Sequence, residues 1–226
     1  MKHDYIVYGT GLSSKLLSLS LAKSGFKVLI IHDKEDTLKE TNLVTFVSEG
    51  SLKYISKILQ TSEPFPESEK IDKLYCEHHN NNKKSKLVFN DDKNYSLGKI
   101  VPNKIIDKLL ANEMKQYNEL ITIIDEKNNL PKIIKSGVEF LENNGTVHSS
   151  NLLFYCSSRK NNQIINKFEF VHKDIHQEAL SIDAEVNRLK KNTAYQIFTT
   201  DGPVALLPIR ENQASFVWSL KKNSKI

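Results

Sequence analysis

Cysteine is scarce in this 226-residue chain, with only Cys76 and Cys156, far apart. Neither belongs to a redox or metal-binding spacing, which favours a reducing cytoplasm over a disulfide-held secreted scaffold. Long apolar runs are absent too, and none approaches the roughly 18 residues that a membrane-spanning helix needs. The opening Met1-Lys2-His3-Asp4-Tyr5 lacks the regions of a secretory signal and runs straight into a strand-like segment. Charge of one sign is thin: the formal balance is +5, and the lysines are scattered. The densest basic stretch, Lys83-Lys84-Ser85-Lys86, is followed by Asp91 and Asp92 and reads as a solvated hairpin. No basic face with interleaved aromatics emerges, so nucleic acid is not an expected partner. A weak attraction to an anionic membrane surface is the most that the charge supports. These absences describe a cytoplasmic globular chain, at most peripheral to the inner membrane surface.

Few side chains suggest chemistry of their own. His78 and His79 are adjacent, and neighbours in a loop present two ligands to one metal poorly; no metal site is expected. Cys156, at a strand end, reads as a small buried residue. Phe216 and Trp218 read as core first and substrate wall second, and Tyr195 and Phe198 as packing. No nucleophile or acid–base pair stands out, so no catalytic residue is assigned.

What is present is a pattern. Tyr5–Tyr8 is a short apolar strand ending at Gly9, and a helix should begin near Ser13 and stop at Ser24-Gly25. Leu16, Leu17, Leu19, Leu21 and Ala22 should supply its buried surface, with a second strand over Phe26–Ile31. Strand, glycine turn, helix and strand within about 30 residues make a βαβ unit with parallel strands. Helices are expected over Ser51–Leu59 and Asn103–Tyr117, the second with Pro102 in its first turn. Strands are expected at Ile71–Cys76 and Lys86–Asn90, joined by the polar run His78–Lys84, then at Ile121–Ile124, Lys132–Ser136, Val138–Glu142 and Leu152–Cys156. Tyr195–Phe198, Val204–Leu207 and Ala214–Leu220 close the series. The expected class is α/β, α+β overall: a Rossmann-like βαβ domain interleaved with a mostly antiparallel sheet.

Gly9-Thr10-Gly11-Leu12-Ser13-Ser14 is the sharpest motif. The first glycine permits a tight turn and the second lets backbone approach a pyrophosphate. A third small residue, here Ser14, lets the helix pack on the strand. The diphosphate would rest on the amides of Gly11, Leu12, Ser13 and Ser14 at the helix N-terminus. The ribose acid of this fingerprint would be Asp33, one place beyond the expected strand end; otherwise the strand is offset and His32 faces the ribose.

Three further segments carry a resemblance. Tyr95–Ile106 (YSLGKIVPNKII) looks like an "LGYVV-N-R-L" segment. Tyr195–Ile209 (YQIFTTDGPVALLPI) is similar to "R-F-x-x-x-G-P-x-A-L-L-P-L", and Ser215–Ser219 (SFVWS) to the "S-x-V-W" strand that follows it. In this order they resemble the FAD-dependent hydroxylases of ubiquinone biosynthesis. The resemblance implies an FAD-binding domain at 1–70 and 97–160 and an incomplete substrate-domain sheet at 71–96 and 161–226. It also implies FAD as cofactor, NAD(P)H or another electron donor, and a polyprenylated aromatic substrate that is hydroxylated on its ring.

The chain departs from that family's pattern at the cofactor. Thr41–Ser48 aligns with a segment that usually carries an arginine near the flavin, and leucine stands in its place. Tyr155-Cys156-Ser157-Ser158 aligns with a Gly-Ala-Asp-Gly turn and lacks its acid. A Gly-Asp motif expected well after the "S-x-V-W" strand is not reached before Ile226, which suggests a truncated reading frame. The alternative is therefore a catalytically impaired relative that serves as a binding or scaffold subunit for other quinone-synthesis proteins. The edge around Val204–Leu220 would then be the sticky surface.

Overall fold

The structure is a computed structural model that describes residues 1–33, 43–80, 83–90, 96–126, 129–157 and 173–222. Thr41, Asn42, Tyr95 and Ser158 lie outside the described residues, as does the side chain of Asp33. The chain runs β1 (Tyr5–Tyr8), α1 (Leu12–Lys23), β2 (Val28–Asp33), β3 (Val44–Ser48), α2 (Glu49–Leu59), β4 (Glu69–Ile71), β5 (Lys73–Asn80) and β6 (Lys83–Asn90). It continues through β7 (Gly98–Pro102), α3 (Asn103–Met114), β8 (Ile121–Glu126), β9 (Lys132–Ile134), β10 (Gly137–Leu141), β11 (Val147–Ser150) and β12 (Leu152–Tyr155). The last strands are β13 (Gln177–Glu185), β14 (Thr193–Thr199), β15 (Gly202–Arg210) and β16 (Gln213–Lys221). Packing groups the chain into two units, 1–41 with 106–172 and 42–105 with 173–226. Residues 42–70 and 97–105 thus pack with the second unit.

The first unit is built on a four-stranded sheet of order β12-β1-β2-β8, every pairing parallel. Such a sheet buries both faces, which is why Ile6, Val7, Leu29, Ile30 and Ile31 have no exposed surface. On one face Ile6, Tyr8, Leu29 and Ile31 pack against Val138 and Phe140 of the antiparallel sheet β11-β10-β9. Fully burying each aliphatic side chain contributes about 1.5–3 kcal/mol, so Leu29→Ala would cost roughly 2–5 kcal/mol. On the other side lies α1, whose buried stripe is Ser14, Ser18, Leu19 and Ala22. Three of these four are small and recur every four residues, so the helix backbone sits close to the sheet. Leu16, Leu17 and Leu21, expected as the core face, are only half-buried.

Expected and observed ends differ in instructive ways. α1 starts at Leu12, directly after Gly11. Its exit takes more chain than expected: the Gly25 amide donates to the Ala22 carbonyl and that of Phe26 to Leu21, at 2.9 and 3.1 Å. Gly25 has φ of +87°, the left-handed closing conformation that glycine tolerates. With Phe26 and Lys27 spent on this exit, β2 begins at Val28 and runs to Asp33, two residues later than expected at each end.

The second unit holds the antiparallel sheet β3-β7-β4 and a six-stranded sheet of order β13-β16-β15-β14-β5-β6. Only the β14–β5 pairing is parallel in the larger sheet. Ile71, Ile100 and Ala194, with Val44, Leu74 and Leu207 around them, form the core joining the two sheets. Pro102 ends β7 rather than starting α3, consistent with its lack of a donor at a strand end. The run His78–Lys84 is largely strand, because β5 and β6 pair as far as Asn80 and Lys83. β15 and β16 each have a neighbour on both sides, so Val204–Leu220 is interior to the sheet and offers no free edge. The edges are β13 and β6.

Candidate functional site

The carboxyl ends of β1, β2 and β12 meet at Gly9. Its amide donates to the Ile31 carbonyl at 3.0 Å, and the Cys156 amide donates to the Tyr8 carbonyl at 2.7 Å. A Cβ on Gly9 would stand 2.7 Å from the carbonyl carbon and oxygen of Cys156, and φ there is +135°. Only glycine fits. The protein's own packing therefore accounts for Gly9: it lets the chain leaving β12 pass close to the first turn.

Gly11 is different. It is the N-cap of α1 with φ −72° and ψ 174°, an extended conformation open to any residue. Among the described residues, a Cβ built there meets nothing within 4 Å. Neither strain nor packing calls for glycine, and the space that its missing side chain leaves is open. As the N-cap, Gly11 has no side chain with which to cap the helix, so the amides of its first turn depend on groups from outside the helix. Ser14, wholly buried in the third glycine position, turns its hydroxyl inward and donates to the Gly11 carbonyl at 2.7 Å. It thereby fixes the turn and takes none of the first-turn donors. Leu12 is half-buried and Ser13 exposed. Open space above a helix start whose N-cap is glycine, at the carboxyl edge of a parallel sheet, suits a diphosphate: amides and helix dipole would both face such an anion.

One turn further on, Lys15 Nζ lies 2.5 Å from Asp107 Oδ1 and ties α1 to α3. This spends the nearest helix cation on a structural pair. His32 occupies the penultimate place of β2, and its Nδ1 lies 3.4 Å from Asp125 Oδ1 on β8. Burial pushes its pKa below the ordinary imidazole value, against the opposing pull of Asp125. Its Nε2 is buried and without a hydrogen bond among the described residues. A neutral ring with that nitrogen shut away gives a ribose no acceptor there. Asp33 closes the strand, its backbone paired with Glu126, so an acid does stand at the end of β2.

Leu43, which the resemblance aligns with an arginine, stands just before β3 and is 40% exposed. Cys156 is half-buried, and burial raises its thiol pKa, which leaves it a protonated packing group. The resemblance segments become β7 with α3, the β14–β15 hairpin, and β16. Sequence reasoning did not find that Ser14 bonds back to Gly11, or that small residues carry the α1 contact; the spacing of Ser14, Ser18 and Ala22 was the available signal.

No protein-family model matches the chain, and no curated protein matches it. Solved structures do. PqsL of Pseudomonas aeruginosa, a probable FAD-dependent monooxygenase, superposes with TM-score 0.75 at 12% identity, over 98% of this chain and 61% of its own. It has also been solved with 2-aminobenzoylacetate. The fold is that of FAD-dependent monooxygenases and halogenases. The myxobacterial chondrochloren halogenase CndH matches with TM-score 0.72 at 14% identity, over 97% of this chain and 53% of its own. A geranylgeranyl bacteriochlorophyll reductase-like protein of Thermoplasma acidophilum matches with TM-score 0.70 at 14% identity, covering 97% and 57%. The chain thus spans between 53% and 61% of the length of these structures.

Proposed function

We propose that this chain is an FAD-dependent monooxygenase-like oxidoreductase acting on a polyprenylated phenol or related quinone precursor. The observation that carries the reading is the open, uncapped N-terminus of α1 above Gly11. In this reading 1–70 and 97–160 form the cofactor side, and 71–96 and 161–226 the substrate side. The main-chain amides of Gly11, Leu12, Ser13 and Ser14 hold the diphosphate, Gly9 shapes the turn, and Asp33 accepts from the ribose. FAD, re-reduced by NAD(P)H or another donor, supplies the oxygen-activating chemistry. The protein's own task is to place an aromatic ring and keep water from it. PqsL, seen with the aromatic carboxylate 2-aminobenzoylacetate, supports an aromatic substrate. The site of action is cytoplasmic, at most peripheral to the inner membrane; no helix among the described residues is long and apolar enough to cross one.

One observation favours a second reading. Leu43 is an exposed aliphatic side chain where the resembling family keeps an arginine near the flavin. A relative without flavin turnover, docked to other quinone-synthesis proteins, fits that loss. Titration with FAD separates the two. The enzyme reading expects a perturbed visible absorbance on binding and a loss of about ten-fold or more in affinity for Gly11→Val, whose side chain fills the diphosphate's space. A chain that takes up no FAD overturns it.

A further inference from the structure

The six-stranded sheet has one apolar face with a charged end. Strand register sets Val88, Tyr75, Tyr195, Leu206, Phe216 and Ile182 side by side in one row across all six strands. The next row on the same face carries Ile197, Val204, Trp218 and Leu180. This face keeps apolar surface in contact with solvent: Ile182 is 51% exposed, Val88 37% and Leu180 36%. At one end of it Tyr75 and Tyr195 stack, their rings 5.4 Å apart and 15° from parallel. Lys86 Nζ lies 4.5 Å from the centre of the Tyr75 ring and Lys190 Nζ 5.9 Å from it. Two ammoniums thus lie over the Tyr75 ring, and neither is paired with a carboxylate among the described residues. Glu77 stands opposite Lys86 in the ladder and has a partner of its own.

We propose that this face binds an amphiphile with an anionic head: a carboxylate-bearing aromatic whose apolar tail lies across the strands. Lys86 and Lys190 take the carboxylate, the rims of the stacked Tyr75 and Tyr195 rings meet the ligand's ring edge-on, and Val204, Leu206, Phe216 and Ile182 cover the tail. Charge selects this occupant. A neutral tail alone would leave the two cations with only the Tyr75 ring for a partner, whereas a carboxylate draws a charge-assisted hydrogen bond from each. Burial, and then Tyr75, raises the Tyr195 pKa, so this phenol keeps its proton and has a donor to offer the same anion. The inference rests on reading the sheet as the substrate side, and adds to it that the substrate carries a carboxylate.

Trp218, the chain's one tryptophan, lies on this face and reports occupancy by its fluorescence. The full chain is titrated with 4-octylbenzoate and with uncharged 4-octylphenol, as wild type and as the Lys86→Gln/Lys190→Gln double variant. Circular dichroism checks that the variant folds. Wild type should favour the carboxylate by about ten-fold, and the double variant should lose most of that preference. Equal binding of both probes, a preference kept by the variant, or no binding of either overturns the proposal. So does sedimentation showing that a second copy of the chain already covers the face. FAD titration of the same samples keeps the two readings apart. Carboxylate binding without FAD uptake refutes the oxidoreductase reading alone, and FAD uptake without carboxylate preference refutes this one alone.

Discussion

Gly9 and Gly11 are two residues apart, yet their replacement by alanine should have opposite consequences. At Gly9 the new Cβ would lie 2.7 Å from the Cys156 carbonyl atoms and 2.9 Å from the Ser157 amide, with φ at +135°. Backbone in that region costs an L-residue about 1–3 kcal/mol, and displacing the chain after β12 adds overpacking of about 1–3 kcal/mol. A total of roughly 2–6 kcal/mol is a large part of a domain's stability, typically about 5–15 kcal/mol. At Gly11 the Cβ enters open space at φ −72°. The smaller loss of unfolded-chain entropy favours alanine there by about 0.4–1 kcal/mol, and alanine's weakness as an N-cap takes back a similar amount. Gly11→Ala should therefore leave the denaturation midpoint nearly unchanged while weakening FAD and ADP binding. Chemical denaturation followed by circular dichroism, with calorimetric titration of ADP, measures both. If Gly11→Ala unfolds the protein, or Gly9→Ala is as stable as wild type, the assignment of one glycine to packing and the other to ligand is wrong.

His3 and His148 share a buried hydrogen bond of 3.0 Å, and burial first, then His148, pushes the His3 pKa from 6.5 down to about 4. The unfolded chain takes up this proton before the folded one, so stability is full above pH 6.5 and falls toward pH 4, by at most about 3 kcal/mol. Urea unfolding from pH 4 to 7 should show a flatter profile for His3→Phe; an unchanged slope contradicts the burial argument. Lys15 and Asp107 should couple by roughly 1 kcal/mol in a double-mutant cycle, because both side chains are partly shielded, and less at high salt. Coupling near zero at low salt would mean that the pair does not hold α1 to α3. The Trp218 indole nitrogen is buried without an acceptor among the described residues, so Trp218→Phe gives up volume but also an unmet donor. Its thermal stability should stay within about 1 kcal/mol of wild type, and a much larger loss would point to a hydrogen bond made in solution.

Local sequence determined the first 33 residues well. Apolar runs bounded by glycines identify strand, helix and strand, since burial on both faces of a parallel sheet demands unbroken aliphatics such as Val28–Ile31. The motif Gly9–Ser14 marked the glycine turn and helix start proposed for the diphosphate for the same reason: its requirements are set within one turn of backbone. Elsewhere the pattern could not speak. β13 (QEALSIDAE) is exposed along most of its length and exists because its backbone pairs with all nine residues of β16. β11 is held between β10 and the first residues of the chain, where His3 meets His148 across 145 positions of sequence. Which tyrosine stacks on which, and which lysines reach them, depends on a parallel β14–β5 pairing between segments more than a hundred residues apart. Residues a few places apart are placed by their own dihedral preferences. Strand partners are chosen by the whole sheet, so only the tertiary structure could put Tyr75, Lys86, Lys190 and Tyr195 together.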